Sequence, residues 1–151
     1  MVDRTEDPLD ILLVEDNDAH ADLVIRGMRD QQVANKIHHV TDGEQALYYL
    51  FGRGAYTDPL QNPRPNLVLL DLRLPRVDGL EVLRIIKATA SLLRIPVVIL
   101  SSSDAESDIV KSFDYHANSY VVKPLDFKTF TKIIKDLGSY WLGWNAKPPC
   151  D

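Results

Sequence analysis

Cysteine is nearly missing from this chain: the single Cys150 has no partner in its own sequence, so no internal disulfide can staple the fold. Long apolar runs are missing too. The longest, such as residues 97–100, are strand-sized and far short of the roughly 20 residues that cross a bilayer, so no membrane-spanning helix is expected. The opening stretch MVDRTEDPLD is acidic and carries no signal-peptide apolar core, which makes the cytoplasm the expected compartment. Positive charge is scarce: 17 Lys and Arg face 22 Asp and Glu, for a net charge of -5, and no basic cluster is present to neutralise a row of phosphates. Nucleic acid is therefore not an expected partner. What remains is 151 residues, 45% hydrophobic and 26% charged, the size and composition of one domain with a real core.

Apolar runs at residues 11–14, 67–70, 97–100 and 120–122 are bounded by turn or charged residues and predict buried strands. A fifth strand is predicted over 37–40, where His38 and His39 interrupt the pattern and point to an edge position. Between these runs the spacing is helical. Ala21, Val24, Ile25 and Met28 share one face, as do Val82, Ile85 and Ile86. Thr41-Asp-Gly-Glu44 and Ser103-Asp-Ala-Glu106 fit the capping-box spacing and predict helix starts. Phe127, Phe130, Ile133, Ile134 and Leu137 make a last apolar stripe, with Lys128, Lys132 and Lys135 on the opposite face. Strand then helix, five times over, requires right-handed crossovers and a parallel sheet covered on both faces: a doubly wound α/β fold. Gly52, Gly54, Pro59, Pro63 and Pro65 punctuate a connection of about fifteen residues before the third strand, expected as a surface insertion. After Gly138 thirteen residues remain, with Tyr140, Trp141 and Trp144 and then Pro148-Pro149, which end any helix; no effector domain is expected there.

In open α/β sheets ligands bind beyond the carboxyl ends of the strands. Glu15 and Asp16 end the first strand and Asp71 ends the third. In the flavodoxin-like order 2-1-3-4-5 those strands are neighbours, so the three carboxylates should converge. Converging carboxylates are tolerated through a raised pKa or a hard cation bound through oxygen, and Mg2+ suits an open, partly hydrated cluster. Each acid taken singly is also an ordinary turn or cap residue. Ser101 and Lys123 end the fourth and fifth strands. Their hydroxyl and ammonium could hold the oxygens of a transferring phosphoryl group, with Asp71 as the nucleophile that forms an acyl phosphate. Ser101 reads equally as a helix cap and Lys123 as a solvated strand-end lysine.

From Asp10 to Leu137 this constellation resembles the receiver domain of two-component response regulators. Glu15-Asp16 looks like the family's acidic pair, Asp71-Leu-Arg-Leu-Pro75-Arg-Val-Asp-Gly79 like its phosphoacceptor loop, Ser101 like its switch hydroxyl and Lys123-Pro124 like its lysine-proline step. The resemblance implies that Asp71 takes phosphate from a phosphohistidine on a sensor histidine kinase, with Mg2+ held by Asp16, Asp71 and the backbone carbonyl of Arg73, and Glu15 acting through a metal-bound water. It implies that Lys123 pairs with Asp71 or the phosphoryl group, that the Lys123–Pro124 peptide is cis, and that Ser101 and Tyr120 move together on phosphorylation. Tyr120 also fits a plain aromatic in an edge strand. Such a chain is no enzyme toward a separate substrate; it catalyses its own phosphorylation and a slow dephosphorylation. Glu15 where many receivers carry Asp, and Ser101 where Thr is commoner, are mild departures. Arg73 and Ser103 occupy positions that tune phosphoryl lifetime in the family. The domain plan is an N-terminal tail over residues 1–9, a receiver over 10–138 and a C-terminal arm over 139–151.

The loop over residues 52–65, the run Ala117-Asn-Ser-Tyr-Val-Val-Lys-Pro124 and the Tyr140-Trp141 ending make the chain similar to the phytochrome-associated single-domain response regulators of bacteria and cyanobacteria. This finer resemblance implies a phytochrome-type kinase as partner and a homodimer built on the fourth and fifth helices, the last strand and a C-terminal arm. Trp141, Leu142 and Trp144 either supply such an interface or fold back over their own domain. Two rivals are weaker. An Asp-nucleophile phosphatase of the haloacid-dehalogenase type needs an acid two residues after its nucleophile, where this chain has Arg73. A flavodoxin-like cofactor binder needs a phosphate-cradling loop after Val14, where Glu15 and Asp16 would repel the phosphate. His20, His38, His39 and His116 lack metal-ligand spacing, and Cys150 has no His neighbour in sequence.

Overall fold

Strands and helices alternate along residues 8–145, the part of the chain that the computed structural model describes. Most of the expected N-terminal tail, and Pro148, Pro149 and Cys150, lie outside the described residues. The strands are β1 (Leu9–Val14), β2 (Asn35–Val40), β3 (Leu67–Leu70), β4 (Val97–Ser101) and β5 (Ser119–Val122). They form one parallel sheet in the order β2-β1-β3-β4-β5, so the strand with the two histidines is indeed at an edge. The helices are α1 (Asp18–Arg29), α2 (Gly43–Phe51), α3 (Gly79–Ala88), α4 (Glu106–Asp114) and α5 (Phe127–Gly138).

Alternation of side chains along each strand builds two separate cores. Leu12, Val14, Val68, Leu70, Val97 and Ile99 point to the face covered by Ala46 and Tyr49 of α2 and by Val82, Leu83 and Ile86 of α3. Ile11, Leu13, Leu67, Leu69, Val98 and Leu100 point to the other face, under Ala21, Val24 and Met28 of α1 and Phe130, Ile134 and Leu137 of α5. The central strands are buried on both faces, which is why they read as unbroken apolar runs.

Three local expectations need correction. The N-cap of α2 is Asp42, whose carboxylate accepts from the Gln45 N–H, one residue later than the Thr41 box implies. α4 begins after Ala105 without a side-chain cap: the N-cap lies two residues beyond Ser103, whose hydroxyl oxygen accepts from the Ala105 N–H at 3.3 Å and donates to the Asp108 carboxylate at 2.6 Å. Phe127 leaves the apolar stripe: it sits in the first turn of α5 at the rim of the sheet and is 61% exposed. The insertion before β3 contains one short 3-10 turn (Gly54–Tyr56) and is pinned to α2 by the Tyr49 hydroxyl, which donates to the Pro63 carbonyl. Beyond α5 the chain continues as a π-helical segment (Ser139–Trp144) that folds back onto its own domain. Leu142 is buried and Trp141 packs on the α1–α5 core, while Trp144 is 84% exposed.

The loop joining β3 to α3 is held against the sheet by close backbone approach. A Cβ on Gly79 would stand 2.2 Å from the Asp71 carbonyl oxygen and 2.5 Å from Leu72 Cα, so the start of α3 can sit against the end of β3 only if residue 79 has no side chain. On the far side of the loop the Gly43 N–H donates to the Pro75 carbonyl at 3.3 Å.

Candidate phosphoacceptor site

Parallel pairing carries the carboxyl ends of β1, β3, β4 and β5 to one rim, and the residues that follow them meet there. The Asp71 N–H donates to the Val14 carbonyl and the Lys123 N–H to the Ser101 carbonyl, which extends the ladder by one residue and sets the outgoing side chains side by side. Glu15, Asp16 and Asp71 each offer a carboxylate oxygen, all within 4.8 Å of one another. Asp16 is exposed, and Glu15 and Asp71 are buried.

Lys123 crosses the sheet end to join them. Its side chain is 2% exposed. The ammonium donates to Glu15 Oε1, to Asp71 Oδ2 at 3.0 Å and to His20 Nδ1 at 3.1 Å. The other Asp71 oxygen accepts from the Arg73 N–H, and the other Glu15 oxygen accepts from the Asn17 N–H. Burial raises Glu15 from its ordinary value to about 7, with the neighbouring Asp71 carboxylate pushing the same way against the pull of Lys123. With all three acids ionised, one ammonium leaves two negative charges uncompensated, the charge that one divalent cation carries. The donor set is all oxygen and open to water on the Asp16 side, so these residues fit a hard divalent ion.

Ser101 lies at the same rim and is fully buried; its hydroxyl oxygen accepts from the Ser103 N–H at 3.2 Å. Half-buried Tyr120 donates its hydroxyl to the Ser103 carbonyl at 2.8 Å. Arg73 turns its guanidinium outward to Asp108 Oδ2 at 2.8 Å, the oxygen that also accepts from the Ser103 hydroxyl. The loop after β3, the loop after β4, α4 and β5 are thus joined by one polar chain through Asp108 and Ser103. The Lys123–Pro124 peptide is trans, which corrects the expected cis bond. Trans is the ordinary preference before proline by about 0.5–1 kcal/mol. The lysine reaches both carboxylates from it.

Two participants escaped the sequence. His20 has no metal-ligand spacing, yet it occupies the first turn of α1, directly after the acidic pair, and its ring reaches Lys123. Asp108 reads there as one more helical acid. A position in the first turn after the β1 acids was the available signal for His20; nothing local marks Asp108.

Comparison with known proteins agrees with this geometry. The chain is 44% identical over 145 residues to the probable methanogenesis regulatory protein FilR2 of Methanothrix harundinacea, covering 96% of this chain and 91% of that protein. It is 39% identical over 142 residues to response regulator Rcp1 of Synechocystis, covering 94% of this chain and 95% of that one. The crystal structure of the Mn2+-bound form of Rcp1 superposes with a TM-score of 0.90 over 94% of this chain and 100% of that one. The structure of the phosphorylated cyanobacterial phytochrome response regulator RcpA, 39% identical, also gives 0.90, over 95% of this chain and 100% of that one. The pattern of the response regulator receiver domain matches residues 11–135, nearly the whole of the sheet and its helices. A parallel sheet in the order 2-1-3-4-5, three acids and a lysine at its carboxyl rim, and these matches together place the chain in the response regulator receiver domain family.

Proposed function

We propose that this chain is a stand-alone response regulator whose Asp71 accepts a phosphoryl group from a sensor histidine kinase in a Mg2+-dependent step, and that it signals through protein contacts. The observation that carries this is the Asp71 carboxylate, buried at the end of β3, bonded to the Lys123 ammonium and within 4.8 Å of two further carboxylates. Asp16, Asp71 and the Arg73 carbonyl would hold the ion directly, with Glu15 acting through water. The bound ion would supply charge neutralisation for an incoming phosphate. Lys123 would hold a transferred oxygen, and Ser101 would turn from Ser103 toward the phosphoryl group while Tyr120 follows. The protein turns over no separate substrate and works in the cytoplasm. Among the described residues no helix is long and apolar enough to cross a membrane.

A phytochrome-type kinase is the proposed donor, supported by likeness to Rcp1 and RcpA. A second reading is a receiver partnered with a non-photoreceptor kinase or acting as a phosphate sink, favoured by the likeness to FilR2, a probable methanogenesis regulatory protein. Phosphotransfer from a candidate photoreceptor kinase under red and far-red light tests the first reading. Transfer that ignores light favours the second. In either case Asp71→Asn should abolish labelling by kinase or by acetyl phosphate while leaving the fold intact; a label that survives this change sinks the acceptor assignment.

A further inference from the structure

We infer that His20 is the positioning residue for Lys123: its uncharged ring nitrogen takes the third N–H of the ammonium and holds it between Glu15 and Asp71. This rests on the proposed phosphoacceptor role of Asp71 and goes beyond it by adding a group that acts through Lys123.

An ammonium has three N–H donors and no acceptor. Two of those of Lys123 are directed at Glu15 and Asp71, and at 2% exposure the side chain has little access to water for the remaining one. His20 Nδ1 lies 3.1 Å away and completes the set. A carboxylate in its place would add a fourth negative charge and draw the lysine off Asp71. An imidazole nitrogen accepts without charge, so the ammonium stays shared between the two acids. Accepting at Nδ1 places the ring proton on Nε2. The backbone N–H of His20 donates to Asn17 Oδ1 at the start of α1, which sets the residue in the first turn, and its ring lies tilted against that of Phe130 of α5, with centroids 5.5 Å apart.

Fixing matters because Lys123 must change partners during transfer. An Asp71 oxygen bonds to phosphorus as the P–N bond of the donor breaks; the nitrogen keeps the electron pair and takes a proton from solvent. The ammonium must then follow a phosphoryl oxygen, and His20 is an uncharged partner that takes no part in the step. Without it the lysine is free to settle on Glu15, away from the reacting oxygens.

The test compares wild type, His20→Phe, His20→Ala and His20→Gln with phosphoramidate as donor and Mg2+ present, following phosphorylation by intact mass. His20→Phe keeps a ring for Phe130, and His20→Ala removes the acceptor at a helical position that alanine suits, so one of the two is available as a folded protein. Each should lower the maximal phosphorylation rate roughly tenfold, the loss of one charge-assisted hydrogen bond at a reacting group. Half-saturating donor and Mn2+ affinity, read by electron paramagnetic resonance, should stay within about twofold, since no ligand is removed. His20→Gln, which restores an uncharged acceptor on a flexible stem, should regain most of the rate. A wild-type rate in the Phe and Ala variants, no rescue by Gln, or a fall in Mn2+ affinity that matches the fall in rate would each overturn the role of His20. Wild-type protein that takes no phosphate at all, or takes it equally well as Asp71→Asn, would overturn the acceptor reading instead.

Discussion

Glu15 is the side chain that the rim changes most. Its folded value near 7 lies above the ordinary value of 4.5, so its contribution to stability is complete below about pH 4.5 and disappears as pH rises through about 7. Metal-free protein in EDTA should lose on the order of 2 kcal/mol of stability between about pH 5 and 8, read as a falling unfolding midpoint. Excess Mg2+ should flatten or reverse that trend, because the ion takes the place of the proton; a midpoint in EDTA that ignores pH would contradict the assignment. Lys123 supplies the matching test. Lys123→Met removes the only cation bonded to Glu15 and Asp71 among the described residues, so divalent-ion affinity should rise while phosphorylation-dependent output is lost. Calorimetric titration that shows weaker binding would assign the lysine a different part. The acids and the lysine could be found from strand-end positions alone. His20 could not, because its role depends on how far a ring on α1 reaches across the rim.

At the scale of elements, α4 shows how a local rule can fail and still leave a trace. Ser103 and Glu106 have capping-box spacing, but the helix starts two residues later; the Ser103 hydroxyl accepts from the Ala105 N–H and donates to Asp108, a partner five residues ahead that also accepts from Arg73 of another loop. The other end of α4 closes as a Schellman turn: the Ala117 N–H donates to the Ser112 carbonyl and the His116 N–H to that of Phe113, with His116 at φ 69°. Glycine suits that left-handed position, so His116→Gly should stabilise the protein by about 1 kcal/mol and raise the thermal midpoint by a few degrees. A lower midpoint would show that the imidazole makes a compensating contact. Gly79 is the opposite case. Gly79→Ala should cost roughly 1–3 kcal/mol by overpacking, and should slow labelling because the displaced backbone is that of Asp71 and Leu72.

At the scale of the whole molecule, one set of exposed apolar groups belongs to α4, β5 and the start of α5. Val110 and Phe113 of α4, Val122 of edge strand β5, Leu125 and Phe127 are exposed, with Leu125 wholly so. The same elements carry the polar chain that runs from the Asp71 loop to Tyr120, and exposed apolar side chains beside such a chain offer a contact surface. Phosphorylation should therefore bring two copies together through it. Light scattering with a beryllofluoride mimic should show a mass increase in wild type that Phe113→Glu with Phe127→Glu removes, with labelling at Asp71 unchanged. A constant mass in wild type would leave this face without a self-association role.

Element order, the buried central strands, the histidine-marked edge and the four rim residues Glu15, Asp16, Asp71 and Lys123 follow from the order and period of residues along the chain. A doubly wound sheet gives strand ends one destination, and apolar period decides which segments are strands. Other features depended on distances between segments far apart in sequence. The third partner of Lys123, the bond from Ser103 to Asp108 and the return of Trp141 and Leu142 onto their own core are of this kind. Each is a competition among several acceptors or surfaces that are locally acceptable, and only the packed positions of the other elements select the winner.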